Sequence, residues 1–362
     1  MTALHRRGLI AGALALGACE GRAQPPPALP GEIAPLKAAA PFPVGVCAQV
    51  SHIDDPQWAR LAARHFSQLT PEWEMKMEYI VQPDGSFRFD RPDQLASFAR
   101  THGMRLYGTT LVWYAQKPDG FVNLDESRIP FGRAYDNYIT AVVARYRGQA
   151  AGWDVVNEPI AEDGHGWRES LWAEKLGDFD HMRRAFEVAH AADPQATLFL
   201  NDYNLESIPA KLDGFMRLAE RLLKAGAPLG GLGCQTHLNA DQQVDMAATL
   251  RTLAGLGLPV HLSELDVSVS RARRPLLGTR VGDAGQARLY AQAVEAFMAL
   301  PPRQRWALTI WGLRDRDSWL RGENATDTPL LFDDAGAPKP AAVAVLGALE
   351  GGSLYGNEGR AR

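Results

Sequence analysis

Residues 152–159 read Gly-Trp-Asp-Val-Val-Asn-Glu-Pro, and residues 259–266 read Pro-Val-His-Leu-Ser-Glu-Leu-Asp. Each is a short, mostly apolar run that closes on a glutamate, Glu158 in the first and Glu264 in the second. Such a run fits a strand buried on both faces, as in a parallel sheet. Working outward, runs of this kind recur at 43–49, 66–70, 105–113, 196–201, 231–236 and 305–311. Amphipathic stretches alternate with them and predict helices over 57–65, 92–102, 131–147, 179–192, 209–225, 246–256, 283–300 and 339–349. Eight strand–helix units in roughly 320 residues close most simply into a single (β/α)8 TIM barrel of the α/β class. A doubly wound two-domain arrangement competes, but no linker-like break divides the chain.

A barrel gathers its chemistry at the C-terminal ends of its strands. Two carboxylates facing one pocket there are what glycoside hydrolysis needs: one protonates the leaving oxygen, the other attacks the anomeric carbon or activates water. Taken singly, Glu158 or Glu264 reads as an ordinary loop acid. Each closing an apolar strand, they read as a pair. Asn157, directly before Glu158, has an amide suited to holding a sugar hydroxyl. The run at 231–236 leads through Gln235 to His237. Alone, His237 would pass for a satisfied core or surface histidine. Beside the strand of Glu264 it can hydrogen-bond that carboxylate and be oriented by Asp266. This network would keep Glu264 ionised while Glu158, less well paired, holds its proton.

The other strand ends carry Glu72, Trp73 and Lys76, then Trp113 and Gln116, then Asn201 and Tyr203, and finally Trp311 and Trp319. Indole and phenol rings at a cleft rim can stack on sugar faces, while lysine and amide groups bind hydroxyls. Trp153 and Trp306 read equally well as barrel packing.

Composition narrows the field. The 362 residues are 46% hydrophobic and 22% charged, which removes disordered and disulfide-scaffold classes. With 38 basic and 42 acidic residues the net charge is −4, so no basic field exists to hold nucleic acid. Cys19, Cys47 and Cys234 allow at most one disulfide and lack zinc-site spacing; Cys47 and Cys234 read as buried apolar residues. No metal or organic cofactor is called for, and a monomer is expected. Residues 1–23 have the shape of an export signal, with Arg6-Arg7 ahead of the apolar run 8–18. The arginine pair is twin-arginine-like, and Leu16-Gly17-Ala18-Cys19 resembles a lipobox that would lipidate Cys19, its only route to a membrane. A plain signal cleaved after Ala23 is the alternative. The product would be periplasmic, membrane-anchored or secreted. Residues 24–41 read as an extended Pro/Ala-rich tether, 42–350 as the barrel and 351–362 as a tail. Arg271, Arg273, Arg274 and Arg280 follow strand seven. They read as a solvated loop or clamp, with contact to uronic-acid side groups as a second reading.

The segments WDVVNEP, LSELDV, NDYNLE, GCQTHL and LTIWGLRDRDSW, with TPEWEMK and YGTTLVW, resemble the signature segments of glycoside hydrolase family 10, the endo-β-1,4-xylanase family, in the family's order across residues 42–348. The resemblance implies a retaining mechanism on β-1,4-linked polysaccharide or oligosaccharide, with Glu158 as acid/base and Glu264 as nucleophile. It also implies that Asn157, Gln235, His237, Asp266, Lys76, Trp113, Gln116, Trp311 and Trp319 line or support the cleft. Two positions depart from the pattern. Trp73 stands where the family usually has Asn, and Thr109 where it usually has His. By that resemblance both lost groups would contact sugars on the non-reducing side, at roughly 1–3 kcal/mol for each contact left unmade. The room beside Thr109 would hold a hydroxymethyl group, which makes a β-1,4-glucanase or mixed xylan/glucan hydrolase the alternative. A non-catalytic glycan-binding barrel is a third reading, disfavoured by the intact carboxylates, His237 and Asp266.

Overall fold

A computed structural model describes residues 32–270 and 281–352. Eight parallel strands close on themselves: β1 (Val44–Ala48), β2 (Gln68–Pro71), β3 (Arg105–Gly108), β4 (Ala150–Asn157), β5 (Thr197–Asp202), β6 (Gly231–Cys234), β7 (Val260–Ser268) and β8 (Arg305–Ile310). Each pairs with the next, and β8 returns to β1 with Val44 opposite Leu308 and Val46 opposite Ile310. No open edge remains in the barrel. Eight helices cover it: α1 (Pro56–His65), α2 (Asp90–Thr101), α3 (Phe131–Arg145), α4 (Asp180–Ala192), α5 (Pro209–Lys224), α6 (Met246–Ala254), α7 (Val281–Met298) and α8 (Pro340–Leu349). This is the (β/α)8 barrel that the alternating pattern predicts.

Every residue of β1, β2, β6 and β7 is buried, which is why these strands read as continuous runs. Several polar residues inside the barrel pair with one another. Tyr107 donates to Asp154 at 2.5 Å, Nε2 of His261 lies 2.8 Å from Thr309 Oγ1, and Arg105 Nε donates to Gln68 at 3.0 Å. The Arg105 guanidinium stacks 4.0 Å over Trp306, whose ring also packs on Phe199. Trp153 is fully buried against Tyr146. Both tryptophans are packing residues.

Three features differ from the sequence reading. The run 105–113 is not one strand: β3 stops at Gly108, and Val112–Trp113 forms a separate two-residue strand on β4. The chain detours at 109–111 because the Leu111 N–H and the Thr110 hydroxyl both bond the Asp154 carbonyl, at 2.9 and 3.1 Å. Second, β7 runs on past Glu264 to Ser268, held extended by a short strand, His237–Asn239, that pairs His237 with Asp266. Third, the described part of 24–41 is no extended tether. Leu36–Ala39 is a helical turn, Leu36 is fully buried, Lys37 reaches the Ala63 carbonyl, and Glu32 pairs with Arg64 at 3.2 Å. The fold therefore starts before residue 42. The export segment 1–23, the arginines at 271–280 and the tail beyond residue 352 lie outside the described residues.

Leu36→Ala should lower stability by about 2–5 kcal/mol, as a buried leucine does, and should be read by thermal or denaturant unfolding. An unchanged midpoint would restore the tether reading.

Candidate active site

The strand ends converge on one cleft of about 530 Å³. Of the residues singled out from sequence, Glu72, Trp73, Lys76, Trp113, Glu158, Tyr203, Gln235, His237, Glu264, Trp311 and Trp319 line it. Glu158 follows β4 directly, and Glu264 sits within β7. Both are buried.

The two carboxylates are tied together by side-chain amides. Gln235 Nε2 donates to Glu158 Oε1 at 3.0 Å and to Asn157 Oδ1 at 3.2 Å. Asn201 Nδ2 donates to the same Asn157 oxygen at 2.9 Å and to Glu264 Oε1 at 3.0 Å. Asn157 Nδ2 closes back on Glu158 at 3.1 Å, and Ser263 donates to Asn201 Oδ1 at 2.8 Å. An amide has two donors and two acceptor lone pairs, so it can bridge two oxygens without adding charge.

Beyond that bridge the two acids differ. Glu158 takes a third donor, Trp113 Nε1, at 2.8 Å. The expectation that Glu158 is the less well paired of the two therefore fails. What distinguishes it is that all its donors are neutral. Burial pushes its pKa up, Glu264 adds to the rise, and the Gln235 and Trp113 hydrogen bonds oppose it. Glu264 instead faces an imidazole, with His237 Nε2 at 3.4 Å from its Oε2 and His237 Nδ1 at 2.9 Å from Asp266. Burial works against the cation at His237, but Asp266 and Glu264 outweigh it and lift its pKa to about 10. Trp319 Nε1 holds the other Asp266 oxygen at 2.9 Å.

At the far end of the cleft the Lys76 ammonium lies between two indoles, 4.2 Å from the Trp73 ring centre and 4.8 Å from that of Trp113. Glu72 is buried beside it, and desolvation pushes its pKa up to about 7, against the pull of the Gln49 hydrogen bond and Lys76.

Three expected sugar ligands stand elsewhere. Asn201 is fully buried and spends its amide on Asn157, Glu264 and Ser263, so it supports the acids. Gln116 is buried and accepts the Glu78 N–H at 3.2 Å, fastening one loop to another. Thr109 is buried and hydrogen-bonds the Asp154 carboxyl, because the detour after β3 turns it into the barrel. The space argument for a hydroxymethyl group at Thr109 loses its basis. Four lining residues were not anticipated: Asn204, Ser207, Asn239 and Gln242. Asn204 directly follows the singled-out Tyr203, and its φ of 58° is a turn conformation that asparagine tolerates. The other three have the polarity of any loop and carried no signal. No group of three or more His, Cys, Asp or Glu side chains among the described residues could hold a metal ion.

Residues 35–348 match the family model described as Glycosyl hydrolase family 10. The chain is 35% identical over 321 residues to Endo-1,4-beta-xylanase A of Thermoanaerobacterium saccharolyticum, covering 84% of this chain and 27% of that protein. It is likewise 35% identical to Exoglucanase XynX of Acetivibrio thermocellus over 83% of this chain and 28% of that protein. The chain thus spans little more than a quarter of the length of these curated relatives. Among solved structures, xylanase 10B from Thermotoga petrophila in complex with xylobiose superposes with a TM-score of 0.78 at 29% identity, covering 87% of this chain and 96% of that one.

The raised pKa of His237 has a stability consequence of definite sign. A histidine lifted from about 6.5 to about 10 contributes fully below about pH 6.5 and loses that contribution as pH rises through about 10. The melting-temperature gap between wild type and His237→Asn should be widest near about pH 6 and close toward about pH 10. A gap that stays constant over that range would mean that His237 is not the cation.

Proposed function

Because the chain belongs to glycosyl hydrolase family 10, we propose that it is a retaining endo-1,4-β-xylanase, with Glu158 as acid/base and Glu264 as nucleophile. The observation that carries this is the pair of buried carboxylates joined by amides but unlike in their partners, neutral donors at Glu158 and an imidazole at Glu264. In the first step Glu158 gives its proton to the glycosidic oxygen while Glu264 forms a bond to the anomeric carbon, and the aglycone leaves as an alcohol. In the second, Glu158 takes a proton from water, whose oxygen attacks the same carbon and releases Glu264. A carboxyl raised by burial suits the first task, and a carboxylate facing a cation suits the second.

Around the acids, Trp311 and Trp319 supply stacking surface on the His237 side. Glu72, Trp73, Lys76 and Trp113 bind sugar at the other end, and Gln235 and Tyr203 complete the wall. The β-1,4-glucan reading keeps one supporting observation, the bulk of Trp73 in the cleft, while Thr109 no longer speaks for it. The reading includes export, on the strength of Arg6-Arg7 and the apolar run after them, with Cys19 as a lipidation site, and an enzyme that acts as a monomer.

The test is the initial rate on matched xylo- and cello-oligosaccharides, with product stereochemistry followed by NMR. The xylo series should be cleaved internally and with retention. Glu264→Ala should abolish turnover, and Glu158→Ala should slow it about 100- to 10,000-fold. Binding without cleavage would favour a glycan-binding barrel, and faster cleavage of the cello series would favour a glucanase.

A further inference from the structure

A fully buried lysine is rare, since its ammonium loses hydration unless a counter-charge replaces it. Lys211, in the first turn of α5, is such a residue. Its Nζ lies 3.0 Å from Oδ1 of Asp202, itself fully buried at the end of β5, and 3.4 Å from the centre of the Tyr203 ring. Oε2 of Glu162, a half-exposed residue, is 3.7 Å away. The proposed chemistry uses neither Lys211 nor Asp202.

Asp202 also holds backbone. Its Oδ2 accepts the Ile160 N–H at 3.1 Å and its Oδ1 the Tyr203 N–H at 2.9 Å. Ile160 is two residues beyond Glu158, and Tyr203 lines the cleft. Glu158 has φ 55°, a left-handed conformation that a residue with a side chain keeps only where its surroundings over-determine it. Upstream, the Glu158 N–H is held by the Asn201 carbonyl at 2.8 Å. Downstream, the first side-chain anchor is Asp202. The loop that follows lies directly on the start of α5. Gly164 has φ +79°, and a Cβ there would come within 2.3 Å of the Ala210 backbone and 2.5 Å of the Lys211 backbone nitrogen.

We propose that Lys211 is a positioning residue for the acid/base: its ammonium fixes Asp202, Asp202 fixes the Ile160 peptide, and that peptide holds Glu158 in its left-handed turn. The inference rests on the reading of Glu158 as acid/base. The same ammonium lies against Tyr203, so the acid and one wall of the cleft share an anchor. The coupling has a physical basis. Burial pushes Asp202 up to about 7 although Lys211 draws it down, and Glu158 raises it further. Without the ammonium Asp202 would take up a proton. A protonated carboxyl is a donor at one oxygen, so its grip on the two N–H groups weakens.

Lys211→Met removes the charge at similar length. A displaced acid slows departure of a poor leaving group and spares one that leaves without a proton. Relative to wild type, kcat/KM on xylotetraose should fall about 10- to 100-fold, mostly in kcat, while kcat/KM on a dinitrophenyl β-xylobioside stays within about two-fold. Equal losses on both substrates, or no loss on either, would overturn the proposal. If Lys211→Met does not fold, Lys211→Met with Asp202→Asn removes both charges, so that no unpaired ion is left buried. The double variant should show the same split between substrates, and wild-type kcat/KM on xylotetraose from it would overturn the proposal. Glu158→Ala is the reference and should show the split more deeply. If Glu158→Ala cleaves xylotetraose like wild type, it is the acid/base assignment that fails.

Discussion

Two carboxylates buried at the same end of an apolar barrel repel each other in a medium that screens poorly. The rest of the site can be understood as the accommodation of that pair. Gln235, Asn157 and Asn201 run between Glu158 and Glu264 as a line of neutral donors and acceptors, so every step between the acids is satisfied without placing a fixed charge between them. A lysine in that line would favour ionisation of both acids, and an apolar residue would leave their oxygens unpaired. Amides meet both demands.

That line exists because of strand register. Asn157 lies opposite Asn201, and Asn201 opposite Gly233. A Cβ at Gly233 would come within 2.3 Å of the Asn201 side-chain oxygen, and one at Gly231 within 2.2 Å of the Phe199 ring. β6 therefore omits side chains where β5 fills the barrel centre, and delivers Gln235 just past its own end. A slip of one residue in either pairing would turn the amides away from the acids. Closure of the sheet, with β8 returning to β1, removes the freedom to slip.

The strand ends were legible because short apolar runs stop abruptly at polar residues, and Glu158 and Glu264 stand where two of them stop. What a run hides is a break made by distant partners. Thr109-Thr110-Leu111-Val112 is rich in β-branched residues and reads as a strand, yet bonds to the Asp154 carbonyl pull it out of line. Position at a strand end likewise does not say which way a side chain turns. Asn201 was read as a sugar ligand and instead joins the acids from behind. Leu36 was masked by its Pro/Ala-rich surroundings, although it is fully buried and, with Lys37 and Glu32, ties that segment to the fold. Lys211 belongs to an amphipathic helix in which lysine is expected to face water. Only the fold places it against Asp202.

The difference between the two carboxylates then follows from their second neighbours. The register that pairs His237 with Asp266 also brings the imidazole to Glu264, and Trp319 occupies the remaining Asp266 oxygen. Asp266 thus sustains a cation on the Glu264 side of the site. On the other side the nearest ammonium, Lys76, is held between the Trp73 and Trp113 indoles. It still draws the Glu158 pKa down, but this ranks below burial, Glu264 and the two hydrogen bonds from Gln235 and Trp113. Trp113 therefore makes two contacts, donating to Glu158 while its ring holds the cation, so one indole ties the Lys76 end of the cleft to the Glu158 carboxyl. A barrel with two nearly equivalent strand-end glutamates becomes an asymmetric site because one neighbour is an imidazolium and the other an indole.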